Sequence, residues 1–341
     1  MGADDVAVIL VNWNGRHHLA RCLPALAAQT HTPREVVVVD NDSTDGSAEW
    51  LATTWPTVRC LALGGNLGFA EANNRGIAST AAPWVALLNN DTLPEPDWLA
   101  ALVAAGREGG DRVASVASLM LFLDMPEVVN SAGIAVDPTG IAWDRLGGAP
   151  AAAAAEPGEV FGASAGAALF RRAALEDAGE AGEDGRVRPL DPRFFMYMED
   201  VDLAWRLRLR GWQSRYAPGA RVLHHGSASA GEGSSFKNRL LARNKIWTVL
   251  KDYPGPPLLT RWPLVLGYDL ASAPYRLAWQ GQTAAFSGRL DALRGLGPVL
   301  RQRRRVQGRR RASWREIAAV LSPMEPPWAV PRRYRHLVGR R

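Results

Sequence analysis

The chain is poor in cysteine, with two in 341 residues, Cys22 and Cys60. They show neither metal-ligand spacing nor a paired framework. That argues against a disulfide scaffold or a zinc module, and predicts reduced core thiols in a cytosolic protein. There is no run of about 18 uncharged apolar residues, so no membrane-spanning helix is expected. The nearest stretch, 262–279, is interrupted by Asp269, Pro274 and Arg276. The opening MGADDVAVILVNW lacks the basic segment and cleavage site of a signal peptide and has no myristoylation pattern. Neither GxGxxG nor GxxxxGK[ST] occurs, which removes the dinucleotide and P-loop fingerprints. No internal repeat is visible.

What is present is ordinary in bulk: 47% hydrophobic and 22% charged residues, enough for one large domain or two smaller ones with a sizeable core. Charge is unevenly placed. The net charge is +6, yet from Arg289 onward there are 15 arginines, no lysine and three acids (Asp291, Glu316, Glu325). That is a balance of +12, leaving −6 on residues 1–288. An acidic body with a basic tail points to an anionic surface, membrane or nucleic acid, or else to a solvated arginine-rich helical extension. Trp247, Trp262, Trp279, Trp314 and Trp328 fit amphipathic helices resting on an anionic membrane, and a self-associating tail would look similar. A nucleic-acid-binding reading would use RQRRRVQGRRR (301–311), but no recognisable reading module accompanies it.

The first hundred residues alternate in the βα manner. VAVILVNW, VVVVD (36–40), VRCLAL and WVALLNN read as buried strands, with helical patterns between them. Short connections and right-handed crossovers imply a parallel sheet flanked by helices, with strand ends at Asn12, Asp40, Gly64 and Asn89 meeting at one edge. Residues 106–160 read as short strands and loops, 149–159 as a small-residue linker, 161–179 as a strand then a helix, and 180–190 as an exposed loop. FFMYMEDVDLAWRLRLRGW (194–212) is a turn entering a helix, and RYAPGARVLHHGSAS (215–229) a strand ending in two histidines. From Ser235 the pattern is helical.

Several polar groups stand where such a sheet binds ligands. Asp40 ends a strand ahead of the NDSTDGS turn, where it either meets a base or ribose or belongs to a capping turn. NLGFAEANNRG (66–76) opens a helix whose amides suit a diphosphate. Asn89, Asn90 and Asp91 offer hard oxygen ligands for Mg²⁺ or Mn²⁺. Glu199, Asp200 and Asp202 sit in a first helical turn, where acids complement the helix dipole. Beside two Phe, two Met and a Tyr they also suit a general base of raised pKa. Of His224 and His225, only one can face the sheet edge.

In order, NWNG, VVDNDSTDGS, NLGFAEANNRG, LLNNDT, GASAGAALFRR, FFMYMEDVDLAWRLRLRGW and HHGSAS resemble the inverting nucleotide-sugar glycosyltransferases of family 2. Within that family the chain is most similar to the rhamnosyltransferase-like branch of bacterial surface polysaccharide synthesis. The resemblance covers roughly residues 5–250. It implies a GT-A fold, an α/β Rossmann-like and mostly parallel sheet flanked by helices, with a C-terminal helical basic extension. Domains are expected at 1–235 (1–105 for the nucleotide sugar, 106–235 for acceptor and catalysis) and 236–341.

Carried over by residue, the resemblance makes Asp200 the catalytic base, with Glu199 beside it. Asp91 becomes the last acid of a metal-binding DxD motif in which Asn89 replaces the first, and His224 a second ligand for a divalent metal, Mg²⁺ or Mn²⁺. Donor binding falls to Asn12, Asp40, Asn41, Ser43, Asn66, Gly68, Asn73, Asn89 and Asn90, and the acceptor side to Asp202, Trp205, Gly166 and Tyr197. The implied reaction transfers a sugar, first choice rhamnose from dTDP-rhamnose, to a glycan or polyprenyl-linked glycan. The implied location is cytoplasmic and peripheral, on the inner face of the plasma membrane, with self-association possible and nucleic acid disfavoured.

Overall fold

The computed structural model describes residues 2–182, 184–225, 234–280 and 283–324, without the side chains of 268–280 and 285. Residues 226–229 of the HHGSAS motif, the Trp279 side chain, Trp328 and the arginines beyond 331 therefore lie outside the described residues.

The βα alternation is realised as β1 (Val6–Asn12), α1 (Arg16–Ala27), β2 (Glu35–Asp40), α2 (Ser47–Thr54), β3 (Arg59–Ala62), α3 (Gly68–Ala78) and β4 (Trp84–Leu88). The β-branched and leucine-rich strands β1, β2 and β4 pair in parallel at the centre, where both faces are covered and alternation is unnecessary. Next come β5 (Thr92–Pro94), α4 (Trp98–Glu108), β6 (Val113–Phe122), β7 (Met125–Ser131), β8 (Ile134–Val136), β9 (Ala142–Asp144) and β10 (Gly158–Glu159). The sheet-bearing part of the chain closes with β11 (Ala167–Arg171), α5 (Arg172–Ala178), β12 (Glu180–Ala181), β13 (Val187–Arg188), α6 (Glu199–Leu209) and β14 (Gln213–His224).

Ten of the described strands form one sheet in the order β10-β14-β6-β11-β4-β1-β2-β3, with β5 on β14 and β7 on β6. Only β11 runs antiparallel to both of its neighbours, β4 and β6, so the sheet is mixed but mostly parallel along its main path. Two apolar layers cover its faces, one centred on Ile9, Val37, Leu87 and Phe170, the other on Leu10, Leu23, Trp98 and Leu169. Cys22 lies in the second layer and Cys60 at its edge, both as free thiols. The segment 180–190 is not a plain loop: Glu180 and Ala181 pair antiparallel with Arg188 and Val187 in a short hairpin.

The C-terminal part is helical: α7 (Ser235–Asp252), α8 (Gly255–Gln280), α9 (Ala284–Arg294), α10 (Leu296–Gly308) and α11 (Trp314–Ala318). Pro263 and Pro274 do not break α8, yet among the described residues no helix is long and apolar enough to cross a membrane. α7 packs against α6, burying Asn244, Lys251 and, just past its end, Tyr253. Part of the basic tail is spent on the same attachment. Arg303 donates to the carbonyls of Leu250 (2.7 Å) and Tyr253 (2.8 Å), and Arg309 to those of Gly179 (3.0 Å) and Asp177 (2.5 Å). Those two arginines cap helix ends and loops, which removes them from any phosphate-contacting stretch.

Candidate active site

The strand order β3-β2-β1-β4 reverses direction beside β1, and a crevice opens at the carboxyl ends of strands at such a point. Amides knit these tips together. Asn12 Nδ2 donates to Asp40 Oδ1 and to Ser43 Oγ, each at 3.1 Å, while its Oδ1 accepts from Asn90 Nδ2 at 2.8 Å. The Ser43 backbone N–H donates to Asp40 Oδ2 at 3.0 Å. Asn41 joins the next loop, donating to Asn66 Oδ1 (2.9 Å) and accepting from the Leu67 N–H (2.8 Å). Asn14 and Asp42 turn the chain at positive φ, 53° and 70°, a conformation that short polar side chains tolerate. This is why the strands end on Asn and Asp.

A cavity of about 860 Å³ opens over these tips. On its β4 side lie Asn89, Asn90 and Asp91. Asp91 Oδ1 is 3.3 Å from His224 Nε2, and the other ring nitrogen, Nδ1, lies 2.9 Å from Asn130 Oδ1. Burial works to raise the Asp91 pKa, but the His224 hydrogen bond and the charges of His224 and His18 outweigh it and hold the carboxyl below its ordinary range. A carboxylate beside an imidazole whose far nitrogen is held by an amide is a donor set that fits Mg²⁺ or Mn²⁺. Among the described residues no third His, Cys, Asp or Glu completes a cluster, so the remaining positions would fall to substrate oxygens and water.

Across the cavity, α6 presents Glu199 and Asp200 from a backbone under strain. Phe195, Tyr197 and Met198 have φ of 66°, 69° and 69°. Non-glycine residues hold such angles only where their surroundings over-determine them, commonly at functional sites. Asp200 accepts from the Ala165 N–H (3.1 Å) and the Val201 N–H (2.8 Å). One Glu199 oxygen is buried without a partner. Burial pushes both carboxyls up, and the Asp200 charge pushes Glu199 well above its ordinary range, whereas the two amides pull Asp200 back. The balance of these effects raises Glu199 more than Asp200, so the pair favours ionisation of Asp200 first.

A nucleotide-scale cavity with a metal-capable pair on one side and a carboxylate pair on the other calls for comparison with known proteins. The model of the family "Glycosyl transferase family 2" matches residues 7–179. The chain belongs to this family. It is a glycosyltransferase, 34% identical over 252 residues to the N-acetylglucosaminyl-diphospho-decaprenol L-rhamnosyltransferase of Mycobacterium tuberculosis, across 67% of this chain and 78% of that one. The GT-A fold is shared with solved structures. GalNAc-T7 with UDP, GalNAc and Mn²⁺ superposes at a TM-score of 0.56 and 18% identity, over 72% of this chain; the chain spans 48% of that one. The mannosyltransferase PcManGT of Pyrobaculum calidifontis, in complex with GDP-Man and Mn²⁺, superposes at 0.50 and 19% identity, over 89% of this chain and 85% of its own.

The glycosyltransferase site brings together many of the expected residues. Asn41, Asn66, Gly68, Asn89, Asn90, Asp91, Gly166, Tyr197, Glu199, Asp200 and His224 all line the cavity. His225 is exposed and its ring lies against His18 instead, with centroids 5.7 Å apart. Asn12, Asp40 and Ser43 do not line the cavity but form the hydrogen-bonded layer described above. Asn73 is buried in α3, donating to the Phe69 carbonyl at 2.9 Å.

Two acceptor-side expectations are corrected. Asp202 is fully buried, paired with Arg206 (2.7 Å) and Lys251, because residues two apart on a helix face opposite ways. Trp205 is also in the core, between Phe161 (4.8 Å) and Tyr253 (5.4 Å).

Other cavity residues escaped sequence reading. Trp13, 47% exposed, stands just past the β1 tip and lines the cavity. Asp144 ends β9; its edge meets solvent within the cavity, but the surrounding protein withdraws it from bulk water and pushes its carboxyl up to about 6. Lys237 of α7 stands 5.5 Å from the centre of the Tyr197 ring. No local pattern marks these residues; only the folded chain gathers them.

Proposed function

We propose that this glycosyltransferase moves a sugar, first choice rhamnose from dTDP-rhamnose, onto a hydroxyl of a polyprenyl-linked glycan with inversion at the anomeric carbon. The observation that carries the reading is the Glu199–Asp200 pair facing Asp91 and His224 across one cavity. The sugar and acceptor rest on the name of the mycobacterial relative.

Asp200, kept ionisable by its two amides, takes the proton of the acceptor hydroxyl as that oxygen bonds to the anomeric carbon. The bond to the nucleoside diphosphate breaks on the opposite face, which inverts the centre. Glu199, its carboxyl pushed well above the ordinary range by burial and the Asp200 charge, stands beside the base and orients the acceptor. Asn41, Asn66 and Gly68 form the wall that receives the nucleotide, with the Trp13 ring as a stacking face. Held by Asp91 and His224, a divalent cation would neutralise charge growing on the leaving diphosphate.

Calorimetric titration with dTDP-rhamnose in Mn²⁺ tests the donor side. Asp91→Ala is expected to lose at least about tenfold in affinity, as is chelation of the wild type, since metal-site losses run 10–100-fold. Equal affinity with and without metal would remove Asp91 from the role.

The location proposed is the inner face of the membrane. Leu259 (75% exposed), Trp262 (54%) and Leu266 share a stripe of α8, and Phe286, Leu290 and Leu293 (65%) a stripe of α9. Together with the exposed arginines 301, 304 and 305 of α10, these support docking on anionic lipid. Flotation with phosphatidylglycerol vesicles should recover the protein, neutral phosphatidylcholine vesicles should not, and Trp262→Glu should weaken binding. Equal recovery on both lipids would remove the anionic-lipid requirement, and recovery on neither would point to the tail as a self-association surface.

A further inference from the structure

We propose that Asn244, on the first helix of the C-terminal extension, is a positioning residue for the carboxylate pair. It holds the strained backbone that aims Glu199 and Asp200 into the cavity. The inference rests on the reading of Asp200 as the base.

The chain entering α6 passes through positive φ at Phe195, Tyr197 and Met198, none of them Gly, Asn or Asp. Left alone, such residues relax to negative φ, so something must hold them. One restraint comes from α3, where the Ala70 N–H donates to the Phe195 carbonyl at 3.1 Å. Gly68 permits this approach, since a Cβ there would stand 2.6 Å from that oxygen.

The neighbouring carbonyls of Phe194, Met196 and Tyr197 converge on a single side chain. Asn244 Nδ2 lies 3.1, 3.0 and 2.8 Å from them. Asn244 is fully buried, and its Oδ1 accepts from Arg243 Nε at 2.8 Å, which fixes the amide with its N–H groups toward the loop. Arg243 Nη2 reinforces the grip, donating to the carbonyls of Arg193 (3.1 Å) and Phe194 (2.9 Å).

The Tyr197 carbonyl is two residues from Glu199 and three from Asp200. Turning that peptide unit re-aims the first turn of α6 and withdraws Asp200 from the Ala165 amide. The hydrogen bonds of Asn244 and Arg243 go to none of Asn41, Asn66 or Asn89–Asp91; only the α3 restraint reaches that side, through Gly68, which donates to Asn66 Oδ1 (3.0 Å) and accepts from Asn41 Nδ2 (3.4 Å). A positioning role therefore predicts a split: turnover falls while donor binding persists.

The test uses the full chain with Asn244→Leu, which matches the shape and removes the donor. Turnover of dTDP-rhamnose, calorimetric binding of dTDP with Mn²⁺, and the pH profile of kcat are measured beside wild type and Asp200→Asn. For Asn244→Leu the expected result is kcat lower by about 10²-fold, the scale of a roughly 1 Å misplacement, with dTDP affinity unchanged. The acid limb of kcat should move to higher pH as Asp200 loses its amide.

Asn244→Ser, which keeps one donor, should fall between, and it carries the same comparison if the leucine variant does not fold. Full turnover in Asn244→Leu with Asp200→Asn inactive overturns this proposal alone. Parallel loss of turnover and dTDP affinity reduces Asn244 to scaffold and also overturns it. Full turnover in Asp200→Asn overturns the base assignment and this proposal together.

Discussion

Asp200→Asn is expected to lower turnover about 10²–10⁴-fold, the range a positioned general base contributes, while dTDP-rhamnose binding is retained. The asparagine keeps the volume and, with its one amide oxygen, one of the two hydrogen bonds that the carboxylate takes from the Ala165 and Val201 amides, so the start of α6 should stay in place. What disappears is the group that takes the proton. In the wild type the sign of the pH dependence follows from the raised carboxyls. The base works only when ionised, so turnover falls as pH drops through the pair. Burial places that fall above the ordinary carboxylate value of about 4. Single-turnover kinetics from pH 4 to 8 read both effects. A variant with wild-type turnover, or a wild type with no acid limb, would mean that another group removes the proton. Glu199→Gln should be milder in its pH effect, because it replaces the carboxyl of the pair that is raised further and ionises later.

The fold and the site were legible in the sequence to different depths. VVVVD and WVALLNN announce buried parallel strands because β-branched runs with polar stops have few other uses, and their tips do meet. The polar residues nearest those tips, Asn41, Asn89, Asn90 and Asp91, line the cavity because a strand end fixes where its next residues go.

MEDVDLAW was read less well. Asp200 and Asp202 look equivalent in sequence but differ by about 200° around a helix, so one meets the cavity and the other the core. Val201 and Trp205, four residues apart, share one helix face, and that face is buried. Asp144 and Asn130 were invisible because β7 and β9 are short and irregular. Their contribution depends on long-range placement beside His224 and Asp200 rather than on any local pattern. The basic tail reads as one charge block in sequence, yet Arg303 and Arg309 donate to carbonyls at helix and loop ends, which no charge count foresees.

The largest stability loss is expected at Lys251. Lys251→Met should destabilise the fold by about 3–5 kcal/mol, the cost of breaking one side of a buried ion network. Its Nζ lies 3.0 Å from Asp191 and pairs also with Asp202, which Arg206 holds at 2.9 and 2.7 Å. Burial opposes the ammonium, but Asp191 and Asp202 more than compensate and keep it charged. Burial also opposes the Asp191 carboxylate, while the Lys251 and Arg193 charges hold it well below its ordinary range. The Asp252 carboxyl is pushed well above its ordinary range, by burial first and by the Asp202 charge second.

Methionine matches the lysine stem, so the loss isolates the charge. Without Lys251, Asp191 loses its main counter-charge and its folded pKa rises. The folded variant then takes up protons more readily than wild type, and the penalty should shrink as pH falls toward about 4. Denaturant midpoints at pH 7 and pH 5 give the comparison. A loss within about 0.5 kcal/mol, typical of surface positions, or a penalty that grows on acidification, would contradict the network. Since Asp202 follows Asp200 by two residues, the same measurement asks whether the helix carrying the base depends on α7. If it does, removing residues 236–341 should leave no folded catalytic half to assay.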